Sequence, residues 1–178
     1  RIPLIGKLYT KNNKRFSETV EYGDIVSGLP IKSETCDVIY CSHVLEHLSL
    51  EDFRTALGNT FSYLKSGGTF RLVLPDLEFS INQYNNDKSS SASLVFLRDT
   101  MLGRETSPKG IAGSLVNYFG HSEHLWMWDY KSIKKELNDA GFSQVCRCYY
   151  GDSQDKMIDK VEKEERFDNC LGVECKKT

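Results

Sequence analysis

Between Cys36 and Asp76 the chain spells strand, helix, strand with almost no spare residues, and this constrains its fold more than any other feature. Cys36-Asp37-Val38-Ile39-Tyr40-Cys41-Ser42 is a mostly apolar run with β-branched and aromatic side chains. Such a run suits a strand buried on both faces, as in a parallel sheet. Ser49 then precedes Leu50-Glu51-Asp52, a capping-box variant that opens a helix. Phe53, Ala56, Leu57, Thr60, Phe61 and Leu64 recur at helical spacing and give that helix one apolar face. Lys65-Ser66-Gly67-Gly68 is expected to close it, with a positive charge in the last turn and glycine beyond. Thr69 to Leu74 reads as the next strand, stopped by Pro75-Asp76. Two strands joined through a helix by tight turns make a βαβ unit.

The flanking sequence extends this pattern. Thr19 to Tyr22 is a short strand candidate, and Ser27-Gly28-Leu29-Pro30 has turn chemistry. Before it, Ile2, Leu4, Ile5 and Leu8 could form a short helical face. Residues 77–120 read as an insertion, with a polar stretch from Asn82 to Ser93 expected to be a loop. Asp129 caps a second helix with Ile133, Leu137 and Ala140 on one face and Gly141 as its stop. Gln144 to Tyr150 and Cys170 to Cys175 are strand candidates that could pair antiparallel at a sheet edge. Between them, Asp152 to Arg166 is highly charged and expected to be solvated. The alternation predicts a single three-layer α/β domain over 1–178, a length that can bury its own core.

Composition narrows the function classes. Lys and Arg total 23 against 25 for Asp and Glu, a net charge of −2, so a general nucleic-acid binder is disfavoured. No apolar run approaches a membrane span, and no signal peptide is recognisable at the start. The six cysteines form no C-x-x-C pair and sit partly in apolar runs. They read as reduced thiols in a cytoplasmic protein, small buried hydrophobes rather than a disulfide framework.

Ligands of open α/β sheets bind outside the carboxyl ends of the strands. Those ends carry Asp24, Ser42 to His47, Asp76 and the segment His121 to Trp128. Asp24 could accept hydrogen bonds from an amine or ribose, with Ile25 as an apolar wall; turn aspartates are also common. His43-x-x-Glu46-His47 matches the inverted zincin pattern, and His121 or His124 could add a third ligand. A zincin needs these residues inside a long helix, whereas here they follow a strand and Ser49 starts a fresh helix two residues on. The expectation is therefore that no metal is bound. Asp76 is either a helix cap or an acceptor-side base. His121, Glu123 and His124, before Trp126-Met127-Trp128, mix titratable and aromatic groups as an acceptor loop does, or form a surface loop with anchored tryptophans.

Together, Val20-Glu21-Tyr22-Gly23-Asp24-Ile25, Leu29-Pro30-Ile31 and Cys36 through Leu48 resemble the middle of class I S-adenosylmethionine-dependent methyltransferases of the type 11 kind. Leu64 through Asp76 resembles their next helix end and strand, and His124 through Phe142 a later helix. The resemblance covers residues 20–76 and 121–175. It implies a Rossmann-like sheet, mostly parallel with an antiparallel edge strand, and S-adenosylmethionine as methyl donor. Asp24 would stand near the adenine amine, Ile25 against the ring, and Cys41, Ser42 and His43 along the cofactor pocket. Asp76, His121 and His124 would face the acceptor as candidate bases. The acceptor is expected to be a small molecule shaped by the 77–120 region. The family's glycine-rich loop and the acidic ribose ligand after its second strand have no counterpart in this sequence. The sheet is therefore expected to be N-terminally incomplete, with the gap closed by direct pairing of the family's third and fourth strands, by a second copy in a homodimer, or by a segment upstream of this sequence. Two other readings follow: a catalytically inactive methyltransferase-like binding or scaffold module, and a zinc hydrolase through His43, Glu46 and His47.

Overall fold

The computed structural model describes residues 20–105 and 123–178. The expected βαβ unit is present: β1 (Cys36–Ser42), α1 (Leu50–Tyr63) and β2 (Leu64–Pro75), with β1 and β2 parallel. Ser49 caps α1, its Oγ accepting from Asp52 N at 3.2 Å. The helix ends earlier than its glycines suggested. Leu64 pairs with Cys36 as the first residue of β2, so the strand takes in Lys65 to Gly68 as well. Beyond β2 come α2 (Leu77–Asn86), α3 (Ala92–Asp99), α4 (Tyr130–Asp139), β3 (Phe142–Cys148) and β4 (Cys170–Lys177). The sheet order is β1-β2-β4-β3. β4 pairs antiparallel with both β2 and β3, so the antiparallel strand lies inside the sheet, and the edge beyond it is β3 rather than the antiparallel strand expected there. The described part of this α/β fold is thus a mixed four-stranded sheet.

Alternation along the strands separates two faces of different chemistry. Phe70, Leu72 and Leu74 of β2 and Leu171, Val173 and Cys175 of β4 enter the apolar core. There they meet Phe53, Ala56 and Leu57 of α1 and Ile133 and Leu137 of α4. Trp128 stacks on Phe53 at 4.3 Å between ring centroids. Each such side chain contributes roughly 1.5–3 kcal/mol when fully buried. Asp129 caps α4 by accepting from Ser132 N at 2.7 Å. Gly141 stops it in the left-handed region at φ +99°, where a Cβ would come within 3.2 Å of the Phe61 ring.

Arg71 sits between Phe70 and Leu72 and so points to the opposite face. It is only 1% exposed. Its Nε donates to Glu162 at 2.6 Å, Nη1 to Glu174 at 2.9 Å, and Nη2 to Asp152 at 2.8 Å and to the Tyr149 carbonyl at 2.7 Å. Burial works against its charge, but the hydrogen bonds to Glu162 and Asp152 more than offset this and raise its pKa. The expectation that 152–166 is solvated holds for most of its side chains, which are exposed, but not for Ile158 and Glu162. The segment folds over the second face in two 3₁₀ turns, Ile158–Lys160 and Glu164–Arg166, and buries Ile158 and Glu162. A buried guanidinium needs matched carboxylates, and this segment supplies two of them.

Two further expectations change. Residues 20–23 form no strand; Val20 and Tyr22 are exposed, and the backbone turns at Asp24, whose carbonyl accepts from Gly28 N at 2.9 Å. The polar stretch after Asn82 continues α2 to Asn86, because Asp76 caps that helix and gives it a defined start. The expected face of Ile2, Leu4, Ile5 and Leu8 lies outside the described residues, as does His121. All six cysteines are free. Burial pushes the Cys41 and Cys148 thiols up to about 12 and Cys170 to about 11, which suits packing rather than nucleophilic work. No helix among the described residues is long and apolar enough to cross a membrane.

Candidate functional site

The parallel ladder of β1 and β2 runs one residue past β1, with His43 N donating to the Val73 carbonyl at 2.9 Å. His43 then takes φ +54°, and this left-handed residue ends the strand abruptly. A 3₁₀ turn, Leu45–His47, follows. Cys41 is buried in the core, while Ser42 and His43 are half-buried at the strand's carboxyl end. Ser42 Oγ lies 3.0 Å from His43 Nδ1, and His43 Nε2 lies 3.4 Å from Cys170 Sγ. Burial, then the charge of Arg166, lowers the His43 pKa and favours the neutral ring.

The turn at Asp24 is held from two sides. Asp24 Oδ1 accepts from Val26 N at 2.8 Å and Oδ2 from the Ser27 hydroxyl at 2.7 Å. These hydrogen bonds, the Ser27 hydroxyl first, lower its pKa and keep it ionised. Asn59 of α1 donates to the carbonyls of Ile25 and Val26, both at 2.9 Å. The Tyr63 hydroxyl accepts from Leu29 N at 2.8 Å. Ile25 is half-buried and packs on the core. The fit to an adenosine is favourable at this turn: an exposed, ionised carboxylate keeps acceptor capacity on both oxygens, and an apolar wall stands next to it. The contacts of Asp24 stay within its own turn, and those of Ser42 and His43 stay at the end of β1. No hydrogen bond among the described residues joins the two halves of the expected cofactor pocket.

On the acceptor side, Asp76 caps α2. Its Oδ1 accepts from Glu78 N at 2.9 Å, and Oδ2 lies 3.7 Å from Arg147 Nη1. Its backbone forms a parallel bridge with Trp128. Between α2 and α3 lies a cavity of about 460 Å³, lined by Phe79, Tyr84, Val95, Phe96 and Thr100 among others. That volume falls in the range of small-molecule sites.

The segment bearing His124 is stitched to the turn after β1. Leu125 N and Trp126 N both donate to the Glu46 carbonyl, at 2.8 and 3.1 Å. His124 N donates to the Met101 carbonyl at 3.1 Å. Of the two tryptophans, Trp128 is buried and Trp126 is partly exposed. The histidines therefore meet, but not as the inverted zincin pattern requires. His47 and His124 have ring centroids 5.0 Å apart, and Glu46 lies beside them. His43 faces Cys170 instead. The strand-to-turn geometry denies His43 and His47 the shared helical face that a zincin uses, so the zinc-hydrolase reading through His43 has no support in this geometry. Sequence reasoning also missed the isolation of Glu46, since nothing in the sequence reveals which buried carboxylate lacks a partner.

A methyltransferase domain family matches residues 4–147, most of the chain, and the chain belongs to that family. Its α/β sheet is that of a Rossmann-like methyltransferase. No curated protein matches the sequence. Among solved structures, a methyltransferase complexed with the Trm112 activator of Haloferax volcanii has a TM-score of 0.47 at 14% identity, over 86% of this chain and 58% of that one. An Archaeoglobus fulgidus SAM-dependent methyltransferase gives 0.47 at 16%, over 87% of this chain and 66% of that one. PigF with SAH gives 0.49 at 16%, over 88% and 34%. This chain thus spans between 34% and 66% of the length of these relatives.

Proposed function

We propose that this chain acts as an S-adenosylmethionine-dependent methyltransferase on a small-molecule acceptor in the cytoplasm. The observation that carries the reading is the match to the methyltransferase family over residues 4–147. When bound, the cofactor supplies an electrophilic methyl group on a positively charged sulfur. In this reading Asp24 accepts the adenine amine, Ile25 covers one face of the ring, and Ser42 and His43 line the rest of the pocket, with Cys41 behind them in the core. Asn59 and Tyr63 hold the Asp24 turn in place, so they act as positioning residues.

The chain's own work is placement and exclusion of water, which can lower a barrier by several kcal/mol, up to about 7–11 when geometry is fully pre-organised. The cavity between α2 and α3 receives the acceptor in this proposal, within the 77–120 region expected to select it. Asp76 fixes the start of α2 and so one wall of that cavity. Its Oδ1 is committed to the cap and its Oδ2 stands 3.7 Å from Arg147. His124, whose Nδ1 has no hydrogen-bond partner, is the described candidate with a free ring nitrogen on this side. A base is required only where the acceptor carries a proton to lose.

Calorimetric titration with S-adenosylhomocysteine tests the proposal. One site per chain, with affinity weakened at least about tenfold by Asp24→Ala, is expected from loss of a charge-assisted hydrogen bond of about 1.5–3 kcal/mol. A folded chain that ignores the cofactor contradicts it and supports the inactive binding module instead.

A further inference from the structure

Glu46 is 1% exposed, and neither carboxylate oxygen has a hydrogen-bond partner. Its nearest basic group is His47 Nε2, 3.9 Å from Oε1 and beyond hydrogen-bonding reach. A buried carboxylate without a partner is costly, and a second orphan stands beside it, the buried Nδ1 of His124. One ligand atom from each of Glu46, His47 and His124 lies within 4.8 Å of the others.

The imidazoles are oriented as ligands are. His47 Nδ1 lies 3.0 Å from the Glu123 carbonyl. A carbonyl can only accept, so Nδ1 carries the proton and the Nε2 lone pair is left toward Glu46. On His124, the buried Nδ1 is unpaired. A backbone carbonyl behind a ligating histidine, as at His47, is a usual outer support of a metal site. The two hydrogen bonds from Leu125 and Trp126 to the Glu46 carbonyl hold the two segments together.

We propose that Glu46, His47 and His124 bind one divalent first-row transition-metal ion. Two imidazoles and one carboxylate favour zinc or a neighbouring ion over magnesium or calcium, which prefer all-oxygen shells. Ligands about 2.0–2.1 Å from a tetrahedral ion stand about 3.3 Å apart, so binding draws the three side chains inward by rotation about their χ angles. Three protein ligands leave at least one position open. His124 is then a ligand rather than a proton acceptor. The site differs from the sequence pattern His43-x-x-Glu46-His47 in replacing His43 with His124, and it is independent of whether the chain binds a methyl donor.

Metal-stripped protein titrated with zinc against a chromophoric competitor tests this with no methyl donor present. One zinc per chain is expected. Glu46→Gln, a near-isosteric change, and His124→Asn should each weaken binding by more than about 100-fold, beyond what loss of an outer-shell partner costs. His43→Asn should leave it unchanged. Cobalt in place of zinc should give a d–d spectrum without a thiolate charge-transfer band. No stoichiometric zinc, unaltered affinity in Glu46→Gln with its fold intact by circular dichroism, or a thiolate band with cobalt would each overturn the proposal.

Discussion

Glu46 and Glu162 are equally hidden from water and otherwise opposite. The Glu162 side chain is fully buried and 2.6 Å from Arg71, whose own side chain is 1% exposed. Glu46 is 1% exposed and touches no donor. The first belongs to a closed ion cluster under the segment that follows β3, where Glu174 and Asp152 complete the shell of Arg71. The second lies at the carboxyl edge, where class I sheets place their chemistry. A fold tolerates a buried charge that it pairs. A buried charge that it leaves unpaired marks a place kept for something else.

The largest expected effect comes from breaking the closed cluster. Arg71→Ala leaves Glu162 buried without its cation and should cost about 3–5 kcal/mol, read from urea denaturation. Arg71→Met combined with Glu162→Leu should recover most of that loss, since an apolar pair of similar volume often replaces a buried ion pair without penalty. A double variant as unstable as the single one would show that the cluster does more than satisfy itself.

Glu46 should respond in the opposite direction. Glu46→Met removes an unpaired buried carboxylate and should stabilise the metal-free protein by about 1–3 kcal/mol at pH 8. The pH dependence follows in sign. Burial raises the Glu46 pKa above its ordinary value, while an unfolded glutamate ionises near 4.3. The native chain therefore binds more protons between the two values, and stability falls as pH rises through the folded-state pKa. Glu46→Gln should flatten that decline in chelator-treated protein. Superimposable pH profiles for wild type and variant would remove Glu46 from the account.

Smaller effects sharpen the same contrast between held and free groups. Asn59→Ala removes two hydrogen bonds from the Asp24 turn and should cost about 1–2 kcal/mol, with a parallel loss of S-adenosylhomocysteine affinity in calorimetry. Ser49→Ala removes only the α1 cap and should cost about 1 kcal/mol, with that affinity unchanged.

The βαβ unit was legible because its signals are local: an apolar run, a capping serine and a helical repeat; the glycine pair misled, since it lies inside β2 rather than at the helix end. Asp129 and Gly141 bounded α4 for the same reason. The ion cluster was not legible, because Arg71 meets Glu162 across 91 positions of sequence, and charge at Asp152 to Arg166 looks the same whether solvated or paired. Of the strand expected at Thr19 to Tyr22, the stretch from Val20 to Tyr22 pairs with no strand among the described residues. Alternation alone cannot supply the neighbouring strand, and the Asp24 turn took the backbone instead. At the site, the sequence placed chemistry at the ends of β1 and β2. It could not tell that Asp76 would be occupied as a cap, or that His124 would join Glu46 and His47 while His43 turned to Cys170.

Ultraviolet cross-linking of radiolabelled S-adenosylmethionine to the whole chain, followed by peptide mapping, tests the central claim most directly. The account predicts label on the peptides carrying Asp24–Ile25 and Cys41–His43, competed away by S-adenosylhomocysteine. Label confined to other peptides, or none on a folded chain, would contradict it.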